Sequence, residues 1–438
     1  MKNLVFYISI ILPGVGHAIL KQKKQAIGFL ALGFIELVTI VKILILPLQL
    51  VRVVNLDGTV TIGEVPWTSG EILWNQDSFV ILISAVFAII LIILFLVINY
   101  VIARDARNTY RTQQSGERLL SYKEKYQAVA GDIIPHSITA PVYALLFLFL
   151  FVPAMVSILI AFTNYATPIL PPAYLIEWVG FSNFQDLLSD DILSTLFKET
   201  FLWTMIWTFT SATLAITVGI GLAVIVNNKK IKGKKIFRIV FLLPWAVPAF
   251  LTILIFQIFF SQIGTMNTVV MPFLNGAEYS VETAIPFLMD PVLAKITIIM
   301  IQTWLGFPFV FILTTGILQA IPEDLYEASN MDGGSAWSNF WDITFPMILL
   351  SAAPMLITQY SFAFNNVTII YLLGDAVLKD VGTMYGPIET LASLGYRLTL
   401  DSNYATAAAM TLITSVIVST FVLISWIKAG AFKNEEVM

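Results

Sequence analysis

The chain has 438 residues with 24 basic and 28 acidic side chains, and its charged fraction is 12% where soluble domains carry about 25%. A hydrophobic share of 58% and a mean hydropathy of +0.85 exclude an ordinary water-soluble enzyme and a disordered chain, leaving a protein that crosses the membrane many times. There is no cysteine and histidine occurs only at His17 and His136, so disulfides, thiolate chemistry and His-cluster metal sites are excluded, and the net charge of −4 argues against a nucleic-acid partner.

In chain order, residues 3–20 are apolar but short, and Pro13, Gly14 and Gly16 interrupt them. This stretch reads as an interfacial or re-entrant element, with an extra span as the alternative. The basic cluster follows the run and no small-residue cleavage site is present, so a signal peptide is not expected. Runs long enough for a hydrocarbon core of roughly 30 Å then lie near 26–50, 79–103, 138–163, 200–227, 237–262, 292–320, 347–373 and 404–430. No period-2 alternation of the kind a β-barrel needs is present. The expected fold is all-α, a polytopic transmembrane bundle of about eight spanning helices.

Within the first span, Glu36 and Lys42 sit at membrane depth but on different helix faces, and a bundle-facing role suits them better than an ion path. Pro244 and Pro248, at i and i+4 in the 237–262 run, each remove a backbone donor and should kink that span.

Basic residues set the orientation. The connection from Asn228 to Arg238 is strongly basic and free of acids, and Arg104, Arg107, Arg111, Arg118, Lys123 and Lys125 fill the 104–137 connection. Lys21, Lys23 and Lys24 precede the first span, and Lys428 and Lys433 follow the last. All of these fall on one side, which places both termini in the cytoplasm of a multi-pass plasma-membrane protein.

One inner connection departs from that rule. Residues 321–346 hold Glu323, Asp324, Glu327, Asp332 and Asp342 without a single Lys or Arg. Pro322 followed by acids in the first turn marks a helix start, and Gly333-Gly334 stops that helix before a second short one leading to Pro346. An acidic, base-free loop on the inner face calls for a basic partner. The alternative is a polar linker between two spans. No G-x-x-x-x-G-K-[ST] run is present, so this chain does not bind nucleotide through a P-loop, and no Ser/His/Asp arrangement stands out. No catalytic residue, cofactor or metal is expected.

Glu327-Ala328-Ser329, then Gly333, then Ile343-x-x-Pro346 resembles the EAA loop of importer-type ABC permeases, with Phe345 where the family has Leu. Leu243-Pro244-Trp245-Ala246-Val247-Pro248, Phe181-Ser182-Asn183-Phe184 and the run from Gln302 to Phe309 are similar to the MalF-type permease subunits of maltose/maltodextrin importers. The likeness covers residue 138 to the C-terminus and implies a type I permease core over 138–430. Residues 1–137 would be an accessory segment with two spans and a basic loop, and 431–438 a cytoplasmic tail. It further implies a second homologous permease, two cytoplasmic ABC ATPase subunits that hydrolyse the ATP, and an extracytoplasmic sugar-binding protein. The short 164–199 outer loop suggests that this binding protein is a lipoprotein. By the same resemblance Glu327, Ala328, Ser329, Asp332 and Gly333 would couple the chain to an ATPase.

Two polar stripes fall near mid-membrane. Gln302, Leu305, Gly306 and Phe309 share one helix face, and Gln359, Phe362, Ala363 and Asn366 repeat the same spacing. Amides at this depth need partners. Amides beside aromatic rings suit a sugar, and they also suit helix–helix adhesion. Gly306 and Pro308 are expected to loosen their helix. The resemblance aligns these eight positions with the sugar-contacting positions of the maltose permease, where the family has Asn for Gln302, Tyr for Phe309, Ser for Gln359 and Asn for Ala363. The function so implied is an ATP-driven importer of maltose or maltodextrins. Another oligosaccharide, or an ion-coupled secondary carrier, are the alternatives; the carrier would need embedded acids, and within the spans only Glu36 qualifies.

Overall fold

Apolar runs too long for a soluble core become long helices, because a helix satisfies every backbone donor within its own segment. The structure is a computed structural model that describes residues 2–44, 78–116, 141–170, 174–228, 230–276, 278–374 and 385–428, with positions 118, 124, 139 and 377. His136 and the 431–438 tail lie outside the described residues. Among the described residues, seven helices are long and apolar enough to cross a membrane, and one bent pair supplies an eighth, in line with the sequence reading. Among the described residues, extended pairing is confined to isolated bridges, Thr163 with Trp178 and Ala166 with Ile169.

The chain divides into two compact units, Met1–Asn183 with Asn403–Ala408, and Phe184–Ser402 with Ala409–Met438. In the first, α1 (Lys2–Ile11), α2 (Val15–Ile19), α3 (Lys23–Ile43), α4 (Ser78–Gln114) and α5 (Pro141–Ile160) follow one another. Gly14 takes a left-handed φ of 89° at the α1–α2 turn. A Cβ there would come within 2.7 Å of the Ala26 carbonyl oxygen and the Leu30 amide, so only glycine lets the turn lie this close to α3. The short apolar stretch is therefore a helical hairpin seated on α4 through Val5, Leu20 and Ala106. Glu36 is 2% exposed and hydrogen-bonds Asn99 of α4, the bundle-facing placement expected of it. Asn183, from the outer motif, donates to the Ala161 and Thr163 carbonyls at 2.9 and 2.7 Å and ties that loop to the end of α5.

The second unit is built on α6 (Asp191–Asn227) and α9 (Pro291–Ala320), its most extensive helix pair. Asp190 and Asp290 cap them by accepting from the second and third helical amides, each a preferred start. Gly219 lets them touch: a Cβ there would lie 2.6 Å from Val310 Cβ and 2.9 Å from the Phe307 carbonyl oxygen. Between them in sequence, α7 (Lys234–Ala246) and α8 (Ala249–Phe259) meet at an 89° bend. The sequence predicts one kinked span here; the structure breaks it, since Pro248 offers no amide and holds Val247 in extended backbone. The basic connection before α7 folds back over the end of α6, where Arg238 and Lys234 bond the Asn227 side chain and carbonyl at 2.8 and 3.0 Å, a favourable place for cations.

After α9 come α10 (Glu323–Met331), α11 (Ala336–Asn339), α12 (Phe345–Phe364), α13 (Thr368–Gly374), α14 (Leu391–Leu400) and α15 (Tyr404–Lys428). The largest buried cluster gathers Trp203 and Trp207 of α6, Ile298 and Ile301 of α9, and Ile369, Ile370 and Leu373 of α13. Both indoles keep a hydrogen-bond partner: Trp207 Nε1 donates to the Ala363 carbonyl and Trp203 Nε1 to the Ile388 carbonyl, each at 2.9 Å.

Candidate functional site

The two polar stripes of the sequence meet. Asn366, just past the end of α12, donates its side-chain amide to Gln302 Oε1 of α9 across 3.0 Å, and its own Oδ1 accepts from the Ile369 amide at the start of α13. The asparagine thus ends one helix, begins another and bridges to a third. Phe362 is 71% exposed, and it lines with Thr358, Ser361, Asn365, Asn366, Val367 and Thr368 a recess of about 430 Å³. Hydroxyls and amides around an uncovered aromatic ring form a wall that can accept a polyhydroxylated ligand.

Not every expected position faces that recess. Ala363 is buried and its carbonyl is taken by Trp207, while Leu305 packs on the main buried cluster. At Gly306 a Cβ would meet Ala215 Cβ at 3.1 Å, so the glycine seats α6 against α9. Gln359 and Phe309 are half-buried. The loosening expected from Gly306 and Pro308 does not occur: α9 runs unbroken from Pro291 to Ala320, because packing against α6 holds it through the missing proline donor.

Trp245, which lies outside both stripes, packs against the first of them. Its Nε1 donates to the Leu305 carbonyl at 3.4 Å, and its ring lies 6.2 Å from that of Phe309. The signal was present as an indole between two prolines at membrane depth. A second recess of about 460 Å³, between Gln257–Gly264 and Pro286–Met289, holds none of the expected residues.

The acidic connection forms a hairpin. α10 ends at Met331, Gly333 turns the chain with a φ of +84°, and Gly334 is fixed by its amide on the Ser329 carbonyl at 2.7 Å. Ser329 Oγ donates to Asn339 Oδ1 at 2.6 Å, Asn339 Nδ2 donates to Asn330 Oδ1 at 3.1 Å, and the Tyr326 and Thr344 hydroxyls lie 2.9 Å apart. These bonds lock α10 onto α11 and the base of α12, so a push on α10 reaches a spanning helix. Glu327, Ala328, Asp332 and Gly333 are exposed while Ser329 turns inward, and no described basic side chain pairs with Glu327. Met331 and Trp337 are 88% and 71% exposed, an apolar surface beside the free carboxylate.

At the other end of this unit Glu389, 3% exposed, pairs with Arg397 and accepts from Ser393 Oγ. Arg397 also lies over the Tyr371 ring, 5.5 Å from its centroid. Nearby, burial pushes the Tyr385 phenol above its ordinary value, and Asp401 and Glu389 add to the rise.

A multi-pass helical bundle with a polar seam between spans and a carboxylate-bearing hairpin tied to one of them defines a transport permease. Residues 215–430 match the family described as binding-protein-dependent transport system inner membrane component. The chain is 40% identical over 438 residues to the maltodextrin transport system permease protein MalC of Streptococcus pneumoniae, covering 98% of this chain and 96% of that one. It is 39% identical to the maltodextrin permease MdxF of Bacillus subtilis, with the same 98% and 96% coverage. Against the galactooligosaccharides permease GanP of that organism it is 36% identical, with 99% of each chain covered. A solved bacterial ABC transporter involved in import of the acidic polysaccharide alginate shares the fold, with TM-score 0.56 at 21% identity over 69% of this chain and 97% of that one. The chain belongs to the family of binding-protein-dependent transport system inner membrane components.

Proposed function

We propose that this chain is one of two permease subunits in an ATP-driven importer of maltodextrin-class oligosaccharides. The observation that carries the reading is the 40% identity to a maltodextrin permease over 98% of the chain, a likeness too long to reflect the bundle alone. In this reading residues 138–430 are the permease core, 1–137 an accessory segment and 431–438 a tail, with both termini in the cytoplasm. Of the eight expected positions, Phe362 and Asn366 line the sugar's path and Gln302 holds Asn366 in place, with sugar hydroxyls bonding the amides and a sugar face lying on Phe362, while Leu305, Gly306, Phe309, Gln359 and Ala363 pack behind that wall and set its shape. An extracytoplasmic binding protein, held as a lipoprotein, delivers it.

The 321–346 hairpin is the lever. Glu327 meets a cationic notch on one of two cytoplasmic ATPase subunits, with Ala328, Ser329, Asp332 and Gly333 shaping the contact. Hydrolysis occurs on those subunits. Closing the ATPases shifts the hairpin and switches access to the seam, which requires hairpin contacts to differ in free energy between the two states.

A second reading, import of another oligosaccharide, is favoured by the 36% identity to the galactooligosaccharides permease. One experiment separates them: ATPase stimulation of the reconstituted importer by its binding protein loaded with maltotriose, maltohexaose or a β-galactooligosaccharide. Stimulation by the maltodextrins alone supports the first reading, stimulation by the galactoside alone overturns it, and uptake driven by an ion gradient without ATP would overturn both.

A further inference from the structure

We infer that the α1–α2 hairpin and the far end of α4 form a binding site for anionic phospholipid headgroups at the bilayer edge. The level comes from α4. Its apolar run Phe79–Val101 spans roughly 34 Å at about 1.5 Å per residue, enough to cross a core of about 30 Å, so Arg104 and the residues after it emerge among headgroups. The hairpin sits at that level. Phe6 packs edge-on against Tyr100 at 6.0 Å and under the Arg107 guanidinium at 5.1 Å. His17 Nε2 lies 2.9 Å from Asp105 Oδ2, and Gln113 Nε2 donates to the Leu20 carbonyl at 3.3 Å.

Those contacts bring two sets of cations together. Lys21, Lys23 and Lys24 follow directly on Leu20, while Arg104, Arg107 and Arg111 share a face of α4 at i, i+3 and i+7. Beside the cations, α1 turns Val5 and Ser9 inward and leaves Leu4, Tyr7 and Ile11 at 57, 62 and 76% exposure. An apolar stripe flanked by cations is the pattern of a helix lying in the bilayer interface and recognising anionic lipid. Topological bias alone places basic residues on an inner face; it does not call for the uncovered apolar stripe beside them. The inference stands apart from the transport reading, because lipid association is measured without sugar, ATP or partners.

The test is native mass spectrometry of the full-length chain titrated with phosphatidylglycerol or phosphatidylcholine of identical acyl chains. Wild type should take up phosphatidylglycerol at least about tenfold more tightly, with the preference falling as salt rises. Lys21→Gln, Lys23→Gln and Lys24→Gln together should cut that association about a hundredfold, as roughly a fivefold loss per charge compounds. Lys230→Gln, Lys234→Gln and Lys235→Gln, which remove equal charge elsewhere, should leave it unchanged. Equal uptake of the two lipids by wild type overturns the proposal even if the variants insert poorly. An equal loss in the two triple variants, or full displacement by inorganic phosphate, overturns it as well.

Discussion

The 3.0 Å bond from the Asn366 amide to Gln302 Oε1 joins residues 64 positions apart in sequence and fixes the seam between α9 and the α12–α13 junction. Interhelical hydrogen bonds in membranes contribute about 0.6 kcal/mol on average and up to about 1.7, so this pair positions the seam more than it stabilises the bundle. A double-mutant cycle of Gln302→Leu and Asn366→Leu, read by thermal unfolding in detergent, should give a coupling energy within that range. Uptake should fall at least about tenfold in each single variant. A coupling near zero would separate the two side chains.

Phe362 is the clearest probe of ligand contact, because its ring is 71% exposed and its removal leaves no cavity. Phe362→Ala should keep the melting temperature within about 2 °C, in line with surface changes of about 0.5 kcal/mol, while uptake drops at least about tenfold. Unchanged uptake would remove the recess from the sugar path.

Glycine substitutions along the α6–α9 contact should follow the space available. Gly219→Ala places a Cβ 2.6 Å from Val310 Cβ and should cost about 1–3 kcal/mol, lowering the melting temperature. A methyl group added at Gly316 would have nothing within 4 Å, so Gly316→Ala should be neutral or gain up to about 1 kcal/mol from helix propensity. Gly306→Trp should lose stability and uptake together, since Ala215 lies in the way.

Glu327→Lys should leave insertion and melting temperature intact, because the side chain is exposed, yet abolish co-purification of the ATPase and reduce uptake to background. Normal co-purification would refute docking through this carboxylate.

Arg397→Met strands Glu389, which is 3% exposed, without its counter-charge. Breaking a buried pair costs about 3–5 kcal/mol, visible as a lower melting temperature. Pairing that change with Glu389→Gln should recover part of the loss, and an unaltered single variant would show that water reaches the carboxylate.

Composition and spacing were enough to anticipate the seven or eight candidate spans, the helical class and the hairpin with its glycine stop, because each depends on local hydropathy, on backbone donors or on φ at one residue. They also placed Gln302 and Asn366 on polar stripes, since an amide amid apolar neighbours is visible in a linear reading. Which stripe residues face the recess was decided in three dimensions: Ala363 and Gly306 are drawn into packing by Trp207 and Ala215, partners more than 80 residues distant. The 89° break likewise exceeded the kink read from Pro244 and Pro248, and only the fold brings Trp245 to the Leu305 carbonyl. Local rules fix what a residue can do; close packing between distant helices decides where it points.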